Sequence, residues 1–228
     1  MPSEKVDIDD LRPTQLTLGL SDVASRAAKI ARQSPKEREA ALERKAIPHV
    51  LGPGGDIFMV DHHHLARALW SLNIREAVLG ERLADWSDLD VKPFWRQMEA
   101  CGYCWPIDAD GNRRPYSAIP QHVSELTDNV WRGLARRVRG KAFENLDTPF
   151  QEFIWGDYFR TFMSRRLLEL HSTSPPISRP NSPTCPRRRI CPALWREANP
   201  LMVRKPPQGV SRRPEEAVSN HGPQMRSR

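Results

Sequence analysis

Asp61, His62, His63 and His64 are consecutive in the chain. One carboxylate beside three imidazoles can move protons, hold a phosphate or ligate a metal near neutral pH. The four residues follow the apolar run Ile57, Phe58, Met59, Val60. They precede Leu65, Ala68, Leu69 and Leu72, whose spacing is helical. They therefore belong to a strand-to-helix turn, where unpaired backbone N–H groups point outward and bind anions. Asp61 is expected to cap the helix, which by itself explains an Asp there. It also repels a bare phosphate, and that tension favours a role with a metal or as part of a general base.

The expected catalytic residues are Asp61, His62 and His63, with Asp61 orienting a His or holding a metal. Thr14, Gln15, His64 and Arg67 are the expected ligand-binding residues. Adjacent helical residues lie about 100° apart, so three imidazoles do not all face one ligand. Each residue also has a plain reading: an imidazole that packs, or an Arg67 that pairs with a surface acid. The expected cofactor is a divalent metal or a nucleotide, and the expected partner is a nucleotide or other phosphate-containing ligand.

Several elements must position this turn. Residues 16–18 are expected as a short strand. Ser21 is expected to cap a helix with Val23, Ala27 and Ile30 on one face. Ser34, Pro35 and Glu37 form a capping box that opens a second helix to about Lys45. Residues 47–51 and 57–60 form a hairpin across Gly54 and Gly55. Residues 76–83 return to the sheet. Residues 88–100 form a helix with Phe94, Trp95 and Met98 inward. Residues 102–125 are irregular, and residues 128–140 and 148–170 are helices.

Charge is unevenly spread. Residues 171–228 hold eleven Pro, ten Arg, one Lys and three Glu, which leaves that segment at +8. The whole chain is +7, so residues 1–170 sum to −1. The basic balance belongs to the tail, and nucleic acid ranks behind a nucleotide as partner. A Ser/Pro/Arg-rich segment buries too little apolar surface to offset its chain entropy, so a disordered tail is expected over 171–228. The break comes in mid-helix, which also fits an out-of-frame extension. No apolar run approaches the roughly 18 residues of a membrane span, and the acidic N-terminus lacks a signal sequence. A cytoplasmic protein without membrane attachment is expected.

Other constellations carry less. Asp108-Ala109-Asp110-Gly111-Asn112 starts like a calcium loop, but Arg113 and Ile119 stand where Gly and Glu are needed. It reads as a polar turn. Cys101 and Cys104 have metal-ligand spacing without a matching second pair, and read as free thiols. Arg132, Arg136, Arg137, Arg139 and Lys141 read as a solvated basic face that could also track phosphates.

Leu11-Arg12-Pro13-Thr14-Gln15-Leu16, then a hairpin, then residues 56–69 resemble the ParB/sulfiredoxin fold. The "ParB-like nuclease" branch, with a Pro-Thr-Gln box and an Asp-His-His-His box, is the nearer match. The resemblance covers roughly residues 7–168. In partition proteins of this fold a Gly-Glu-Arg-Arg box holds nucleotide phosphates, and in sulfiredoxin a Cys in a Gly-Cys-His-Arg box attacks a sulfinyl phosphate. Asp61, His63 and His64 replace the Gly and the paired Arg residues, and no Cys lies in the box. The resemblance implies an α+β fold with a small mixed sheet and helices, and the residue pattern divides the chain into an α/β domain over 7–88, a helical subdomain over 89–170 and the tail. The resemblance also implies a phosphate or nucleotide site at the turn, extending to phosphohydrolase or nuclease chemistry. The alternative is a non-catalytic binding or interaction module of the same fold.

Overall fold

The computed structural model describes residues 4–146 and 148–172. The expected disordered tail lies outside the described residues, apart from 171 and 172. The protein is α+β, built on a five-stranded mixed sheet. Its strands are β1 (Lys5–Asp7), β2 (Leu11–Arg12), β4 (Ile47–Leu51), β5 (Ile57–Met59) and β6 (Glu76–Asp85), in the order β1-β6-β4-β5-β2. β4 and β5 form the expected antiparallel hairpin, with His49 opposite Met59. β6 runs parallel to β4 and antiparallel to β1. A second, two-stranded parallel sheet joins β3 (Thr17–Leu18) to β7 (Thr127–Asp128).

The central sheet is covered on both faces. Neighbouring strand residues point to opposite sides, and Phe58 and Met59 show the result. Met59 packs with Ile8, Leu18, Val23, Leu65 and Leu69. That side is closed by α1 (Leu20–Ala31) and α3 (His63–Ser71), which pack on each other. Phe58 joins Val50, Phe94, Trp95 and Met98 on the other side, closed by α4 (Val91–Ala100). Phe94, Trp95 and Met98 are buried as their spacing predicts. α2 (Pro35–Glu43) starts with the expected capping box: Ser34 Oγ accepts the Glu37 N–H, and Glu37 accepts the Ser34 N–H. A third core gathers Trp131, Ala135, Phe143 and Phe159 between α5 (Val130–Val138) and α6 (Gln151–Arg160).

Three local expectations are corrected. Gly19, not Ser21, is the N-cap of α1, because the Leu20 N–H is already met by the Asp128 carboxylate at 2.8 Å. His62, not Asp61, is the N-cap of α3. The expected helix over 148–170 is two helices, α6 and α7 (Arg165–Ser172). β1 and β2 have too few residues to show a period in the sequence, and they form because existing strands offer unpaired edges.

Candidate functional site

The turn after β5 is built around a left-handed residue. His62 has φ 66°, a conformation that costs a non-glycine residue about 1–3 kcal/mol. Two features hold it there. Asp61 Oδ1 accepts the His62 N–H at 2.5 Å, and the His62 carbonyl accepts the N–H groups of Leu65 and Ala66 at 2.8 and 3.0 Å. Burial of Leu65 and Leu69, each contributing about 1.5–3 kcal/mol, offsets the strain. The left-handed residue also rotates the next two side chains into the protein.

His63 and His64 then diverge, as adjacent helical residues must. His63 Nε2 accepts the Thr14 N–H at 3.1 Å, and His64 Nε2 accepts the Gly19 N–H at 3.1 Å. The two imidazoles pin the two ends of the 14–19 segment to α3. An amide N–H can only donate, so Nε2 of each ring carries no proton and Nδ1 carries it. The Thr14 hydroxyl donates to the Met59 carbonyl at 2.8 Å, which leaves its 3.3 Å approach to His63 Nε2 without a proton to share. His63 is 3 % exposed.

Burial, with the repulsion of His62 and Arg132 added, lowers the His63 pKa to about 4 against the pull of Asp61. Burial, Arg132, His63, Arg26 and Arg136 hold His64 well below the ordinary histidine value. Both rings are neutral at pH 7. His62 is also lowered, chiefly by burial, with Asp61 opposing and Lys45 and Arg26 adding to the shift. Its Nδ1 lies 3.6 Å from Asp61 Oδ2, and its side chain keeps 26 % of its surface.

Thr14 and Gln15 serve the same scaffold. The Thr14 carbonyl accepts the Trp105 N–H at 2.8 Å. The buried Gln15 amide donates to the Thr17 carbonyl at 2.8 Å. Thr17 Oγ1 accepts from Asn129 Nδ2, and Asn129 Oδ1 caps α5 by accepting the Arg132 N–H. Arg67 stands apart. Its guanidinium lies over the Trp70 ring, 4.6 Å from the centroid, and burial lowers its pKa.

Helices α1 and α5 bring further cations to the turn. A Cβ on Gly19 would come 3.3 Å from the Gly133 Cα, and one on Gly133 would come 3.3 Å from Ser21 Oγ. This close approach sets Arg26 of α1 near Arg136 of α5. Burial comes first and Arg136 second in lowering the Arg26 pKa, while Asp22 and Asp61 oppose them. Arg132 is tied to Asp22 by a short ion pair, and burial lowers its pKa. Neither Arg26 nor Arg136 has an ion-pair partner among the described residues. Sequence reasoning named Arg132 and Arg136 but missed Arg26, whose signal was its place four residues after Asp22 on one helical face.

Among the described residues no group of three or more His, Cys, Asp or Glu side chains is placed to hold a metal ion. His63 and His64 have already committed Nε2 to backbone N–H groups. Asp108 accepts the N–H groups of Asp110 and Asn112 and pairs with Arg114, which makes the loop a polar turn. Cys101 and Cys104 are free thiols, and burial pushes Cys104 up to about 12.

A mixed sheet whose strand-to-helix turn meets an upstream segment defines the class. The profile of the ParB-like nuclease family matches residues 4–161, and the chain belongs to that family. It is similar to a crystal structure of protein Atu1540 from Agrobacterium tumefaciens, with 31 % identity and a TM-score of 0.66, over 73 % of this chain and 82 % of that one. No curated protein matches the sequence significantly. No helix among the described residues is long and apolar enough to cross a membrane.

Proposed function

We propose that the protein binds a phosphate group, carried by a nucleotide or a nucleic acid, at the turn between β5 and α3. The observation that carries this reading is the pair Arg26 and Arg136, near each other and near His64, with Asp22 and Asp61 acting on Arg26 but no acid in ion-pair contact with either cation among the described residues. Like charges kept together at some electrostatic cost suit an anion that arrives later. The α3 N-terminus adds free N–H groups and the positive end of its dipole. Thr14 and Gln15 position this wall, and Arg67 stays on Trp70 and takes no part. Calorimetric titration of AMP and pyrophosphate into the wild-type chain and into Arg26→Ala with Arg136→Ala tests the reading. Saturable binding weakened at least about tenfold in the double variant supports it. Binding that ignores both substitutions contradicts it and favours a non-catalytic module that recognises a protein partner.

A second reading rests on the Asp61–His62 contact. Its 3.6 Å approach lets the carboxylate orient the more exposed imidazole. In a hydrolase His62 is then the general base that activates water. His63 and His64 do not compete for that role, because their basic nitrogens are occupied. Hydrolysis of p-nitrophenyl phosphate or its bis ester, falling about a hundredfold or more in His62→Ala with binding intact, supports this reading. Binding without turnover removes it.

A further inference from the structure

Arg67 belongs to a cluster at the far end of α3. Trp70 is half-buried against the core beneath that helix, and two guanidiniums lie on its ring. Arg67 Cζ is 4.6 Å from the ring centroid and Arg75 Cζ is 5.4 Å from it. Arg67 reaches the ring from one turn earlier on the helix. Arg75 returns to it from beyond the helix end. Asn73 has φ 57°, and the N–H groups of Asn73 and Ile74 donate to the carbonyls of Trp70 and Leu69, both at 3.0 Å. A left-handed residue with this bond pair turns the chain back over the last turn of a helix. The Arg75 carbonyl then accepts the Ile8 N–H at 2.7 Å. The backbone under the second cation is therefore fixed before a partner arrives, which lowers the ordering cost of binding.

The two cations are poorly met. Among the described residues Arg67 has no acid in ion-pair contact, and its Nε is out of water without a hydrogen-bond partner. Arg75 Nη1 lies 3.5 Å from Asp9 Oδ2 but lacks the geometry of a hydrogen bond. The Arg75 side chain keeps 40 % of its surface, so an acceptor from outside can reach it.

We propose that Arg67, Trp70 and Arg75 form a docking surface for an acidic segment of a partner protein. The proposal does not rest on the phosphate reading. A guanidinium stacked on an aromatic ring keeps its N–H edge for a planar acceptor, and a carboxylate takes that edge with two parallel bonds. Tryptophan and arginine are also the residues that dominate the centres of protein interfaces. The surroundings disfavour a nucleic acid strand, whose backbone needs a row of cations. Here two cations share one ring, and Asp9 stands beside them with its exposed neighbours Asp7 and Asp10. A short acidic segment sets carboxylates at the two arginines and brings less further charge against these acids.

The test follows the indole N–H of Trp70 in the full 15N-labelled chain at low salt, with the signal assigned by Trp70→Phe. That signal reports one side chain and not the general charge of the protein. Two probes of equal charge are titrated, acetyl-tetraglutamate amide and pentathymidylate. A saturable Trp70 shift with tetraglutamate is expected, with binding of pentathymidylate at least about fivefold weaker. Arg67→Gln with Arg75→Gln is expected to weaken the tetraglutamate titration about tenfold. Arg67→Lys, which keeps the charge and loses the planar edge, is expected to weaken it about threefold. No Trp70 shift with tetraglutamate overturns the proposal, and so does a shift that the double variant leaves unchanged. Pentathymidylate bound as tightly as tetraglutamate overturns it by assigning the surface to nucleic acid. If the double variant loses its fold, Arg67→Lys takes its place, and binding unchanged in that variant overturns the proposal.

Discussion

His63 Nε2 accepts the backbone N–H of Thr14 at 3.1 Å, and this bond joins the turn after β5 to the segment that faces it. Both partners are buried. Their loss therefore costs more than the bond alone, because an amide N–H is left without water or an acceptor. His63→Ala is expected to destabilise the protein by about 2–4 kcal/mol through the orphaned donor and the cavity. His63→Gln, which supplies a neutral acceptor, is expected to recover part of that. Urea unfolding at pH 7 checks both, and a loss under about 1 kcal/mol for His63→Ala would contradict the role.

Burial of the same ring sets a pH dependence. The folded pKa of His63 is about 4, below the unfolded value of roughly 6.5. As pH falls through that window the unfolded chain takes a proton that the folded chain refuses. The contribution is therefore present above about pH 6.5, declines as pH falls, and is gone near pH 4. A drop of about 3 kcal/mol at most follows for His63. His64 shifts in the same direction. Urea midpoints at pH 7.5 and pH 5 are expected to differ more in the wild type than in His63→Gln.

His62 tests the left-handed turn. Its φ of 66° is easy for glycine and strained for alanine. His62→Gly is expected to be about 1 kcal/mol more stable than His62→Ala, while both lose the exposed imidazole. Equal thermal midpoints for the two variants would show that the turn has rearranged.

Gly156 tests how α5 is held. A Cβ there would come 2.9 Å from the backbone of Trp131 and Arg132, so the helices must part. Gly156→Ala is expected to cost about 1–3 kcal/mol. Because it moves the helix that carries Arg132 and Arg136, it is also expected to weaken phosphate binding. Unchanged stability with unchanged binding would separate α6 from the site.

Much of this was legible in the residues. The period of α3, the capping box of α2 and the hairpin across Gly54 and Gly55 are local patterns, and local energies decide them. The Pro-Thr-Gln and Asp-His-His-His boxes placed the two segments that meet. Three features were not legible. β1 and β2 are too short to carry a period, and their pairing is a tertiary event. The cap of α3 moved because the left-handed His62 lets Asp61 bond its neighbour's N–H and not the helix end. Arg26 joined the turn through the close approach of Gly19 and Gly133, a contact 114 residues apart that no local pattern announces.

An anion bound where α3 begins lies against the His62, His63 and His64 amides. The most direct measurement is a two-dimensional amide spectrum of the 15N-labelled chain during titration with AMP. Saturable shifts of the His62, His63 and His64 amides are expected, joined by the Arg26 and Arg136 side-chain resonances and lost in Arg26→Ala with Arg136→Ala. Saturable shifts confined to another part of the chain, or none at millimolar ligand, would contradict it.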